Sequence, residues 1–133
     1  MLIKGAAGLI IFYGLAHTIG ALTLEGAASH AGAWFSGQLW TEDFSNMSPA
    51  GSALWFSLDS FGFPLVLIGL LIFWLDRRGI TPPRFLAYAL GAWTVMDAII
   101  LLFTPWPIML VAVGLLIRGI ARADHRHKQA ASA

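Results

Sequence analysis

The sequence predicts an all-α integral membrane protein: a four-helix bundle with both termini on the cytoplasmic side and a long outer loop between the first two helices. Three observations lead there. Of the 133 residues, 58% are hydrophobic and only 11% charged, where a soluble domain carries about 25% charged residues. The apolar residues gather in four long runs, in keeping with a mean hydropathy of +0.75, which places the chain in the membrane class. All eight Lys and Arg residues fall on one side of those runs. The formal net charge of +1 carries no information by itself, and no nucleic-acid partner is expected. With no cysteine in the chain, disulfides, thiolate metal sites and cysteine nucleophiles are excluded.

The first run covers residues 5–24. The second covers 52–75 and is closed by Asp76-Arg77-Arg78. The third covers 84–103, and the fourth, after Thr104-Pro105-Trp106-Pro107, covers 107–120. Each is read as a helix, because a backbone in hydrocarbon must satisfy its own hydrogen bonds. Residues 1–124 thus form one transmembrane domain, and 125–133 a basic cytoplasmic tail. Lys4, Arg77, Arg78, Arg84, Arg118, Arg122, Arg126 and Lys128 lie on one side; Glu25, Glu42 and Asp43 lie on the other. The positive-inside rule makes the basic side cytoplasmic, and the location expected is a bacterial inner membrane, crossed several times. Lys4, the following apolar stretch and Gly26-Ala27-Ala28 imitate a cleaved leader, but the stretch is too long for one.

The outer connection, residues 25–50, is too long for a simple turn. Trp34, Phe35 and Trp40 suit the headgroup interface, and a lid over an outward-opening pocket is the sharper alternative.

His17, Asp59 and Asp97 stand inside three different runs at a similar depth, about 10 Å from the outer helix end. An intramembrane ionisable group is a functional-site candidate by default, and three at one level suggest a shared polar pocket. Trp55 precedes Asp59 by four residues and Trp93 precedes Asp97 by four, so each indole shares a face with an acid. Ser57 and Thr94 add hydroxyls nearby, Tyr13 shares the face of His17, and Glu25 lies at the interface. Pro64 is expected to bend the second helix just below Asp59. A purely structural role competes: an Asp–His pair can hold helices together at about 1 kcal/mol. One His with two carboxylates also matches a ligand set for non-haem iron or zinc, but no tight His-x-x-x-His pattern supports it, and neither metal nor cofactor is expected. His125 and His127 resemble a chelating pair in a segment better explained by headgroup contact.

The run Trp55-Phe56-Ser57-Leu58-Asp59-Ser60-Phe61-Gly62-Phe63-Pro64-Leu65, with Gly14-Leu15-Ala16-His17 and Ala33-Trp34-Phe35-Ser36-Gly37, resembles a family of small bacterial four-helix membrane proteins known as a domain of unknown function. That resemblance implies the fold and no activity. A looser likeness, of architecture alone, is to emopamil-binding-type sterol isomerases. It implies His17, Asp59 and Asp97 as a polar pocket, Trp55 and Trp93 as its walls, and a lipophilic amine or alkene as ligand.

Three functions compete. The first is a protein that binds a lipophilic small molecule, with or without a cofactor-free isomerisation or cyclisation in which Asp59 or Asp97 is the acid and His17 the orienter or base. The second is a proton-coupled transporter, assembled as a homodimer. The third is an accessory subunit of a larger membrane complex, presenting the plain apolar fourth helix to lipid or partner.

Overall fold

The computed structural model describes residues 1–132; Ala133 and the side chain of His127 lie outside the described residues, and with them the expected His125–His127 pair. The fold is all-helical, with no strand among the described residues. Helix α1 is Leu2–Thr23, α2 Ala31–Phe35, α3 Pro49–Ser57, α4 Gly62–Arg77, α5 Arg84–Ile100 and α6 Trp106–Ser132.

Each boundary has a local cause. α1 closes on the Gly20 carbonyl, which accepts from the amides of Leu24 and Glu25, and Gly26 then turns the chain at φ 76°, where a side chain would strain the backbone. α3 starts with Pro49 at its first position, and its cap Ser48 accepts from the Gly51 amide at 3.1 Å; both are helix-initiating devices. Glu42 in turn accepts from the Ser48 amide at 2.5 Å. α4 ends at Arg77, followed by Gly79 at φ 71° and by Pro82 and Pro83, which lead into α5. α6 carries Pro107 in its first turn, where no amide donor is needed.

Two expected spans are redrawn. The second run is not one helix: α3 and α4 are separated by residues 58–61. The fourth does not stop near residue 120: α6 runs to Ser132, because the segment after Ile120 is rich in Ala, Arg, Lys and Gln, which favour helix regardless of hydropathy. Three helices are long and apolar enough to cross a membrane, namely α1, α6 and the stretch Pro49–Arg77 taken across its break. The 17 residues of α5 reach only about 25 Å, against a hydrocarbon core of about 30 Å.

By packing, the chain forms two compact units: residues 1–12 with 67 onward, and residues 13–66. In the first, Ala6, Ala7 and Ile10 of α1, Ile72 of α4, Ala87 and Leu90 of α5, and Met109, Ala112 and Leu116 of α6 are buried. Small residues allow the backbones to approach. A Cβ on Gly119 would come within 2.6 Å of the Ile3 side chain, and one on Gly69 within 2.6 Å of Ile11; this is how helices gain contact without a hydrophobic drive between them. Lys4–Asp76 at 4.0 Å and Arg84–Asp124 at 2.5 Å tie its charged end. Leu67, Leu70, Leu71 and Trp74 of α4 point outward, as do Val95 and Ile99 of α5. Apolar surface of this extent is what a lipid-facing chain presents.

In the second unit, Tyr13, Ala21, Ala27, Ser57 and Leu65 are buried. The outer connection is built of short turns: a 3₁₀ turn at Ala27–His30, then α2, then a second 3₁₀ turn at Gln38–Thr41. The Trp34 indole donates to the Ala50 carbonyl at 2.9 Å, which anchors the connection to α3. Phe35, Trp40 and Phe44 remain exposed.

Candidate functional site

The break between α3 and α4 follows from Pro64. In a continuous helix its ring would meet the carbonyl of Ser60, four residues earlier, and Ser60 would find no amide donor. Restarting at Gly62 places Pro64 in the first turn of α4, where the missing N–H costs nothing. The bend expected below Asp59 is therefore a full interruption at the acid itself, and Asp59 lies in the gap, not in a helix.

An interrupted helix leaves its last carbonyls without partners. Here the Leu54 carbonyl accepts from both Leu58 and Asp59 amides. Two more carbonyls are served by side chains. His17 Nε2 lies 3.2 Å from the Phe56 carbonyl, and Ser60 Oγ donates to the Ser57 carbonyl at 3.3 Å. His17 Nε2 and Ser60 Oγ are themselves 2.7 Å apart. One arrangement of protons satisfies all of these atoms: Nε2–H donates to Phe56 O and Ser60 Oγ, and Ser60 O–H donates to Ser57 O. Side-chain donors of this kind let a broken segment persist in a membrane.

Aromatic rings hold the imidazole. Its centroid is 4.0 Å from that of Phe61 and 5.4 Å from that of Phe56, the latter edge-on. Tyr13 stacks on the far reach of Phe61 at 6.2 Å. Gly62 makes room: a Cβ there would collide with Thr18 Oγ1 and lie 3.2 Å from the His17 ring. Gly14 does the same for the opposing helix, since a Cβ on it would come within 2.5 Å of the Gly62 carbonyl.

The remaining candidates divide. Asp59 is exposed, and its carboxylate takes part in no hydrogen bond or ion pair among the described residues. Trp55, four residues before it, is 53% exposed and meets Phe44 edge-on at 6.2 Å. Asp97 belongs to the other unit; it is half-buried in the last turn of α5, where Thr104 Oγ1 donates to it at 3.0 Å. Trp93 of the same helix is half-buried. Ser57 and Thr94 spend their hydroxyls on their own helices, donating to Ala53 and Leu90 carbonyls at 2.6 and 2.7 Å. Glu25 is exposed beyond the end of α1. No group of three His, Asp or Glu side chains among the described residues could hold a metal ion.

Sequence reasoning gave no packing role to Ser60, Phe61 or Gly62. Pro64, four residues on, marks the Ser60 carbonyl as one that loses its donor, but no residue pattern marks the Ser60 hydroxyl as a partner of His17. Outside the membrane-spanning stretches, Asp43 accepts from the hydroxyl and amide of Ser45 at 2.7 and 2.9 Å. The hydroxyl first, then the amide, hold its carboxyl below the ordinary value, against a small opposing effect of burial.

The chain matches no protein-family model, no curated protein and no solved structure.

Proposed function

We propose that this protein crosses a bacterial inner membrane four times, with α5 as the third crossing in chain order and both termini cytoplasmic, and binds a lipophilic molecule bearing a cationic nitrogen at the gap between α3 and α4. One observation carries the reading: a carboxylate without a partner among the described residues, Asp59, in the gap of an otherwise apolar span. α3 has 9 residues and rises about 13 Å, so the gap falls inside the hydrocarbon layer if Pro49 lies at its outer edge. A free charge there is costly, and such groups mark binding or transport sites.

The surroundings favour a cation with an apolar body. Trp55, Phe56 and Phe61, within four residues of the acid in the chain, are all partly exposed, and aromatic faces attract cations. His17 and Ser60 take a supporting role and fix the shape of the gap. An isomerase or cyclase step would need His17 as a base; the ring nitrogen that faces the gap already serves two oxygens, so binding is preferred to catalysis. Asp97 has no part in this reading, which uses residues 13–66 alone.

A second reading is proton-coupled transport. The interrupted span favours it, since transporters build their sites where helices are discontinuous. Proteoliposomes separate the two. A proton flux that depends on an added lipophilic amine and vanishes in Asp59→Asn establishes transport. Saturable amine binding without flux establishes a binding protein, and neither flux nor saturable binding refutes both.

A further inference from the structure

We infer that the charged end of the unit formed by residues 1–12 and 67 onward contains a recognition site for a phosphate ester. This inference is independent of the gap at Asp59 and uses none of its residues.

A cavity of about 400 Å³ opens there, with Ile3, Asp76, Gly119, Arg122, His125 and Arg126 on its walls. A second, of about 280 Å³, adjoins it and shares Ile3, Asp76 and Arg126. The first is within the range of small-molecule sites, about 300–1,000 Å³. Gly119 creates the floor, because α1 approaches so closely that a Cβ would meet Ile3.

The charges inside are unbalanced. Of the two acids at this end, Asp124 is taken by Arg84 and Asp76 by Lys4. Arg122 and Arg126 have no acidic partner among the described residues. They stand four apart on α6, with Arg118 a further turn back, so like charges stack along one face. A bound anion would relieve that repulsion. Other arginines of this end are engaged differently: Arg77 lies over Phe73 and Arg78 over Trp74.

Depth adds to the argument. Along α6, Arg122 lies about 24 Å and Arg126 about 30 Å from Trp106. Where α6 spans the membrane from Trp106, a core of about 30 Å puts Arg126 at its inner edge and Arg122 about 6 Å short of it, and long arginine side chains reach the headgroup phosphates from there. A guanidinium fork matches a phosphate in two parallel hydrogen bonds, and His125 supplies a further ring donor. Asp76 opposes any anion, and Lys4 at 4.0 Å offsets it. The same chemistry would accept a lipid headgroup or a soluble phosphate.

Full-length protein in mild detergent, given equal phosphatidylglycerol and phosphatidylcholine and read by native mass spectrometry, tests the site. Wild type should retain the anionic lipid by at least about tenfold, two arginines at a charged surface being worth that much. Arg122→Gln/Arg126→Gln should lose the preference, while Arg77→Gln/Arg78→Gln, which removes the same charge outside the cavity, should keep it. Asp76→Asn, which leaves both arginines in place, should strengthen retention and serves if the first variant fails to fold. If inorganic phosphate displaces the lipid, or binds alone and does so through Arg122 and Arg126, the site stands and its ligand is a soluble phosphate. The inference is overturned if wild type shows no preference and binds no phosphate, if both double variants lose retention equally, or if Asp76→Asn fails to raise it.

Discussion

His17 Nε2 and Ser60 Oγ, 43 positions apart in the chain, meet at 2.7 Å, and together they serve two of the carbonyls at the end of α3, those of Phe56 and Ser57. A histidine that reads in sequence as a buried ionisable group is, in the fold, the cap of a broken helix. The neighbouring acid is the opposite case. The Asp59 carboxylate makes no hydrogen bond or ion pair among the described residues. The two residues therefore separate stability from the proposed function, and that separation is testable.

His17→Ala leaves the Phe56 carbonyl unsatisfied and removes the ring packed between Phe56 and Phe61. An acceptor left unpaired out of reach of water costs about 1–3 kcal/mol, and the lost packing adds to it. Thermal unfolding in detergent should show a clearly lowered midpoint. His17→Gln, which retains an N–H donor, should recover part of the loss; equal loss in both variants would mean that the carbonyl contact contributes nothing.

Gly62→Ala inserts a methyl group where Thr18 Oγ1 and the His17 ring already sit. Overpacking of this kind costs about 1–3 kcal/mol. The nearest obstacle is Thr18, with the Gly14 carbonyl behind it at 2.9 Å, so the double variant Gly62→Ala/Thr18→Ala should recover part of the loss and be more stable than the single one. Additive effects would contradict the predicted contact.

Thr104→Val deletes the donor to Asp97 and to the Leu101 carbonyl at the end of α5. The expected cost is about 1 kcal/mol. Hydrogen exchange should rise for the amides of residues 97–104 and stay unchanged in residues 13–66. A change spread evenly over both units would show that the effect is not local.

The Asp43 carboxyl should titrate below its ordinary 3.8, because Ser45 hydrogen bonds favour its charged form. A depressed folded value means that the contribution to the turn is fully present above the ordinary carboxylate value and is lost as pH falls through the folded one. The Ser45 amide resonance should report that midpoint, and Ser45→Ala, by removing the hydroxyl, should move it upward. A midpoint unaffected by the substitution would exclude the hydroxyl as the cause.

Much of this was legible in the sequence, and the gaps have physical reasons. Four apolar runs are countable without coordinates, and the helical character of the chain follows from them. Lengths were less secure, since hydropathy marks where lipid-loving residues stop and not where the helix stops: α6 continues past Ile120 on the propensity of Ala, Lys and Gln. Pro64 announced a disturbance near Asp59. Its severity depended on Gly62, which allows α4 to restart, and on His17, which satisfies what the break exposes. Ser60 was invisible as a partner because a residue pattern reveals neighbours on one helix, such as Tyr13 and His17, and not the register of one helix against the end of another.

On the proposed function, Asp59 is held in the gap to meet a cation. Long-chain amine and the alcohol of equal chain length, titrated into protein reconstituted in zwitterionic nanodiscs, measure it most directly. Wild type should bind the amine about ten- to a hundredfold more tightly than the alcohol, the value of one charge-assisted hydrogen bond, and Asp59→Asn should bind both alike with its unfolding midpoint unchanged. Equal affinities in wild type, or an amine preference that survives in Asp59→Asn, would contradict the claim.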